Sequence, residues 1–313
     1  LMNKEEFSFS TCWNIKRHTS GREMIMEIKQ LGFSQVELNY HVTKEMLASI
    51  LPMVESEEIQ ISSVHHVFPF YDDKEFDPDS VMLGFENEVK RKKAVRLLKE
   101  TIDHAVQLGA KGVVVHPGEV PFSYNIDKTL KEIYQSKGRN SVEYQQLWSE
   151  MIKKREHESK FYVKRIQESL EEVCEYIARK QYNVGIGLET RSRCYQIPTL
   201  LEANQMISKL KGAPVYLWYD IGHAMMMDRM GLYDNLQDLK LVKDKILGVH
   251  IHETIELSDH WCPYIHSQSQ TFDSFINIIQ AAPIKVYELK SVCTPLEIDK
   301  SHKIIREKMI NCT

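Results

Sequence analysis

The sequence has no uncharged apolar run approaching the roughly 18 residues that a membrane-crossing helix needs. Its six cysteines, at 12, 174, 194, 262, 293 and 312, form no C-x-x-C pair and no disulfide-scaffold spacing. That pattern suits free thiols in a reducing compartment. Neither G-x-x-x-x-G-K-S/T nor G-x-G-x-x-G occurs, so a nucleotide-cradling glycine loop is unsupported. H-E-x-x-H is missing too, which excludes a zincin. Neither sign of charge dominates: 40 Lys plus Arg face 44 Asp plus Glu, a net charge of -4. Such a balance argues against gross non-specific nucleic-acid binding and leaves room for a local basic patch. Leu1 to Glu6 hold no apolar signal-type stretch. The expectation is a cytoplasmic protein without a membrane partner.

What is present is regular alternation. The chain has 313 residues, 42% of them hydrophobic, enough for a sizeable core in one domain. Short runs rich in Val, Ile and Tyr predict strands at Phe7 to Trp13, Gln35 to Asn39, Gln60 to His65, Gly112 to His116, Val184 to Glu189, Val215 to Asp220, Ile246 to His252 and Lys285 to Leu289. Helical patterns fall between them, near 20–31, 43–55, 84–108, 146–180, 197–210, 236–245, 272–280 and 296–309. Eight such alternations without a linker predict an α/β fold, a (β/α)8 barrel spanning 1–313, though a doubly wound sheet gives similar local signals. Residues 120–165 depart from compact spacing. With ten basic and six acidic residues, they read as a polar helical insertion after strand four, either a solvated arm or a lid on the catalytic rim.

The most informative feature is where polar residues fall. His65 and His66, His116, Glu189, Asp220, His250 and His252, and Glu288 stand at or near predicted strand ends, with His223 just beyond Asp220. Charged and imidazole groups are rare in apolar strands unless paired or metal-bound. In a barrel these ends converge on one face, which predicts a shared divalent-metal site. Nitrogen mixed with carboxylate oxygen suits Zn, Mn or Fe(II). Gly187 and Glu189 share a strand face, and Gly222 is read as permitting a tight turn after Asp220. One of His250 and His252 can ligate while the other serves substrate or supports a ligand; the choice within His65 and His66 is likewise open. Asp259 and His260 follow in a loop. Arg191 and Arg193 either hold a phosphate or form ion pairs.

At these residues the sequence resembles the xylose-isomerase-like TIM-barrel superfamily, from Cys12 to about Met309. The resemblance rests on Leu108-Gly109-Ala110-Lys111 leading into Val115-His116-Pro117-Gly118, on Leu188-Glu189, on Asp220-Ile221-Gly222-His223-Ala224, on Val249-His250-Ile251-His252-Glu253, and on Tyr287-Glu288-Leu289. It implies one of two site chemistries. Sugar isomerases and epimerases of this kind hold one Mn-like ion, and Glu189, Asp220, His250 and Glu288 match that set. His223 would then contact substrate, and Glu189 or Glu288 would move its proton. Endonuclease-IV-like enzymes (AP endonuclease family 2) hold up to three zinc ions, and His65 and His116 match their further ligands. There His223 becomes a ligand and an Asp-x-His pair is added. Here His260 matches the last position, Ser258 stands at the Asp, and Asp259 is adjacent.

Two enzyme expectations result, beside a barrel that binds a metabolite without turnover. The first is metal-dependent hydrolysis of a phosphate ester or diester with one to three zinc ions, with Glu189, Glu288 and His223 catalytic. The imidazoles of His65, His116 and His260, which one-metal sugar chemistry does not require, favour it. The rival is isomerisation or epimerisation of a sugar or sugar phosphate. The expected partner is a small phosphorylated or sugar-like substrate, held by His66, His252, Arg191, Arg193 and Asp259; nucleic acid stays open under the first expectation.

Overall fold

The computed structural model describes residues 4–267 and 270–312. Eight parallel strands close into a barrel: β1 (Ser8–Ser10), β2 (Gln35–Leu38), β3 (Gln60–His65), β4 (Gly112–Val115), β5 (Gly185–Glu189), β6 (Val215–Asp220), β7 (Ile246–Ile251) and β8 (Ile284–Tyr287). Each pairs with its successor, and β8 pairs back onto β1. The fold is the TIM barrel expected. Around it lie α1 (Gly21–Gln30), α2 (Lys44–Glu55), α3 (Glu88–Gln107), α4 (Ile126–Lys137), α5 (Val142–Lys180), α6 (Leu200–Lys209), α7 (Ile221–Met230), α8 (Asn235–Val242), α9 (Ile276–Ala281) and α10 (Pro295–Asn311).

Local chemistry explains many of these boundaries. Thr43 caps α2 by accepting from the Met46 amide. Capping boxes open α6 (Thr199 with Glu202) and α10 (Thr294 with Glu297). Each cap of this kind contributes about 1 kcal/mol. None of the helices of the described residues is long and apolar enough to cross a membrane.

Three differences from the sequence reading have physical causes. First, β1 stops at Ser10, where the Ser10 hydroxyl accepts from the Cys12 amide and bends the chain into 3-10 turns through Arg17. Second, α7 had no amphipathic signal. Ile221 to Met227 and Met230 are all buried, so no polar stripe marks the helical period. Third, Gly222 does not make a tight turn. It lies in the first turn of α7, after Asp220 caps the helix by accepting from the His223 amide. A Cβ on Gly222 would lie 2.1 Å from the His252 ring. The glycine is there for close approach.

The long segment after β4 forms α4 and the first half of α5. It packs sideways through Tyr144 and Met151 onto Met226, Met227 and Met230 of α7. The Tyr144 hydroxyl donates to the Met230 carbonyl at 2.7 Å. Two of its arginines are tied to protein groups: Arg155 binds the Cys194 and Gln196 carbonyls and Glu202, and Arg165 binds Glu88. The segment buttresses α7.

Inside the barrel, the buried Trp218 forms an apolar floor. Gly112, Gly187 and Gly248 surround its ring, and a Cβ on Gly248 would come within 2.5 Å of it. His250 lies next above, with ring centroids 5.4 Å apart. That is where the apolar interior ends and the polar layer begins.

Candidate metal centre

Four donors lie at the C-terminal mouth of the barrel. Glu189 ends β5, Asp220 ends β6, His250 lies in β7 and Glu288 directly follows β8. Their ligand atoms all fall within 4.8 Å of one another, and all four residues are buried. His250 donates from Nδ1 to Glu189 Oε1 at 2.6 Å and from Nε2 to Glu37 Oε1 at 2.7 Å. Burial opposes a charged imidazole, but Glu288, Glu37 and Glu189 outweigh it and raise the His250 pKa well above its ordinary value. Burial would raise Glu189, yet the imidazoles of His116 and His250 hold its carboxyl well below the usual range. Burial and the charges of Glu189, Asp220 and Glu37 push Glu288 well above that range, against the pull of His250.

A divalent cation suits this set. Asp220 Oδ2 is buried and accepts no hydrogen bond among the described residues. The donors mix one imidazole with three carboxylates, the chemistry that Zn, Mn and Fe(II) share.

Further imidazoles are aimed at the mouth by a common device. A carbonyl oxygen can only accept, so a ring nitrogen bonded to it carries the proton. His65 Nδ1 donates to the His66 carbonyl at 2.7 Å, His223 Nδ1 to the Thr190 carbonyl at 3.0 Å, and His260 Nδ1 to the Glu288 carbonyl at 2.8 Å. Burial keeps His65 and His260 neutral, so each offers its Nε2 lone pair to the mouth, while His223 presents an Nε2 proton there. His65 Nε2 is 3.6 Å from Glu189 Oε2, which His116 Nε2 also touches. His223 and His260 reach towards Asp259, at 3.5 and 3.6 Å. Two further donor groups follow: His65, His116 and Glu189, and His223, His252 and His260.

His252 differs. Its Nδ1 accepts from the His260 amide at 2.9 Å and its Nε2 donates to Asp220 Oδ1 at 2.6 Å. Both nitrogens are engaged, so His252 orients Asp220. Charges set the neighbours: burial and His252 push His260 down to about 4. For His223 burial acts against the charged form, but Asp220 and Asp259 raise it to about 9.

Other expected residues lie elsewhere. His66 faces outward from β3, its Nδ1 at 2.8 Å from the Thr101 hydroxyl of α3, because consecutive strand residues point to opposite faces. It cannot reach substrate at the mouth. Arg191 is buried in ion pairs with Asp79 at 2.6 Å and Glu189 at 3.2 Å, and donates to His116 Nε2 at 2.8 Å. That is the ion-pair role. Arg193 lies outside the cavity wall, 3.8 Å from Asp79.

The sequence reading missed Glu37 and Asp79. Glu37 is fully buried in β2, between His250 and the Ser63 hydroxyl, which donates to it at 2.7 Å. A carboxylate inside Val36-Glu37-Leu38 signals a partner by the same rule that singled out Glu288. Asp79 comes from the loop after β3 and carries no pattern. These groups lie at or around a cavity of about 330 Å³, whose rim includes Cys12, Lys16, Tyr40 and Lys290. A larger cavity of about 900 Å³, between α5 and α6, holds none of the candidate ligands.

A family described as xylose isomerase-like TIM barrel matches residues 25–285. No curated relative matches the sequence. Among solved structures, the apo 3-keto-D-glucoside 4-epimerase of E. coli is 17% identical, with TM-score 0.66, covering 97% of this chain and 100% of that one. A D-tagatose 3-epimerase-like protein is 17% identical, with TM-score 0.65 and 97% of each chain covered. The D-allulose 3-epimerase of Methylomonas sp., in complex with D-allulose, is 14% identical, with TM-score 0.62 and 97% of each covered.

Proposed function

The chain belongs to the xylose isomerase-like TIM-barrel family, and from that premise we propose that it is a metal-dependent isomerase or epimerase of a sugar or sugar derivative. The observation that carries this reading is the Glu189, Asp220, His250 and Glu288 group beneath a cavity of about 330 Å³. That volume lies near the small end of the roughly 300–1,000 Å³ range of small-molecule pockets. The hydrolase expectation yields first place: solved structures similar to this chain include several sugar epimerases. The cavity's lysine and arginine residues are Lys16, Arg191 and Lys290, and Arg191 is tied to Asp79 and Glu189. That leaves little to track a phosphodiester backbone.

Glu189, Asp220, His250 and Glu288 would hold the ion. Bound there, a divalent cation would polarise a carbonyl and hold the neighbouring hydroxyl oxygen. The protein supplies the proton movements. Glu189 ends β5 and Glu288 directly follows β8, with β6 and β7 between those strands. One carboxylate takes the proton from the carbon beside the carbonyl, and the other returns one to that carbon or its neighbour. His223, fixed through its Nδ1, presents Nε2 to a substrate hydroxyl. Glu37 holds His250 in orientation from behind.

The test is solvent deuterium exchange into a ketohexose panel by the Mn-loaded protein. Exchange should occur, and Glu189→Gln should abolish it while the melting curve stays that of a folded protein. Unchanged exchange in that variant would reject the assignment. A second reading, phosphoester hydrolysis, draws on one observation, the two further histidine groups. Two or three zinc ions per chain with cleavage of an abasic-site duplex would favour it; one ion per chain favours the isomerase.

A further inference from the structure

The metal-site cavity has a neighbour without a task. It measures about 280 Å³ and lies between Tyr40–His41 after β2 and the 67–79 part of the loop after β3. Tyr40 and Asp79 line both cavities, so the two share a wall. The Tyr40 ring meets His65 edge-on at 4.9 Å.

The other walls are aromatic and acidic. Phe70 lines the cavity and is 43% exposed. It is held in place by its amide, which donates to the Val42 carbonyl at 2.8 Å, and its ring is stacked with His41 at 6.1 Å. Asp72 and Asp77 also line the cavity. Asp77 takes a backbone bond from Asp79, and Asp73 is engaged by Lys93 at 3.3 Å. An exposed aromatic face beside carboxylate acceptors suits a ring that has an apolar C–H face and hydroxyl donors at its edge. A purely apolar group would strip water from the carboxylates without replacing their hydrogen bonds. An organic cation would meet the Lys74 ammonium in the same wall.

We propose that this cavity is a second sugar-ring subsite, so that the substrate is a glycoside whose reacting ring lies at Glu189 and Glu288 while its other ring stacks on Phe70 across the Tyr40–Asp79 wall. The proposal rests on the isomerase reading and deepens it. Each cavity has room for one ring, and the shared wall sets the spacing between the two.

The test uses the full-length, Mn-loaded protein. Dissociation constants are measured calorimetrically for D-fructose and for three hexosyl-fructoses with different linkages: turanose, lactulose and isomaltulose. At least one disaccharide should bind about tenfold more tightly than D-fructose. Phe70→Ala should bring that ratio close to one; the side chain is at the surface, and the wild-type ratio stands as a measurement whatever the variant does. If D-fructose binds or exchanges its proton but no disaccharide binds more tightly, the subsite is overturned and the isomerase reading survives. A ratio unmoved by Phe70→Ala also overturns it. If no ketose binds or exchanges, both fall together.

Discussion

Replacing Glu37 by Gln probes the centre without touching a candidate ligand. Glu37 Oε1 receives the His250 Nε2 proton at 2.7 Å and Oε2 receives the Ser63 hydroxyl at 2.7 Å, in a fully buried setting. When His250 gives Nδ1 to a cation, Nε2 must keep its proton, and Glu37 holds it there. A hydrogen bond to a charged group contributes about 1.5–3 kcal/mol. Loss of a carboxylate behind a ligating histidine costs about 10- to 100-fold in metal affinity, or roughly 1.4–2.7 kcal/mol. Gln keeps the volume and one acceptor oxygen, so Glu37→Gln should lie near the tenfold end. Glu37→Ala removes the acceptor altogether and leaves His250 Nε2 only the longer approach to Glu288 Oε2 at 3.2 Å, so it should lose more than Glu37→Gln, towards the hundredfold end. The assay is competition for Zn or Mn against a chromogenic chelator at neutral pH. If both variants stay within about twofold of wild type while His250→Ala loses the ion, the supporting role assigned to Glu37 is wrong.

Two further predictions test other parts of the structure. Gly222→Ala should destabilise by about 1–3 kcal/mol through collision with the His252 ring, although the same change in an open helix stabilises by roughly 1 kcal/mol; urea melts decide the sign, and a stabilised variant would refute the close packing. Burial, helped by Asp79, raises Glu119 to about 7. Its folded-state pKa thus exceeds its unfolded value, so its ionisation lowers stability as pH rises from about 4.5 to 7, by about 1–2 kcal/mol after allowance for partial solvation. Glu119→Gln should gain that amount over wild type at pH 8 and little at pH 4; an equal difference at both would disprove the linkage.

The barrel was legible because its strands are short, continuously apolar runs, as strands covered on both faces must be. Glu189, Asp220, His250 and Glu288 stood out as charges at the ends of such runs. Helix α7 did not show, since a helix buried on all sides has no stripe to read. The choice between His65 and His66 depended on which face of β3 turns inward, and strand alternation alone leaves that parity open. The Glu37 pairing joins residues 213 positions apart, on strands that become neighbours across the mouth only when the sheet closes. Arg191 was ambiguous because its partner Asp79 lies in a loop without periodic pattern.

The indole beneath the polar layer has a practical consequence. Trp218 is fully buried, with its ring 5.4 Å from that of His250. A charged imidazolium so close to an excited indole quenches its emission, and replacing the Nδ1 proton by a cation changes that quenching. If the site takes a cation as proposed, the Trp218 emission would report its loading. Comparing wild type with Trp218→Phe would separate this signal from that of the other three tryptophans.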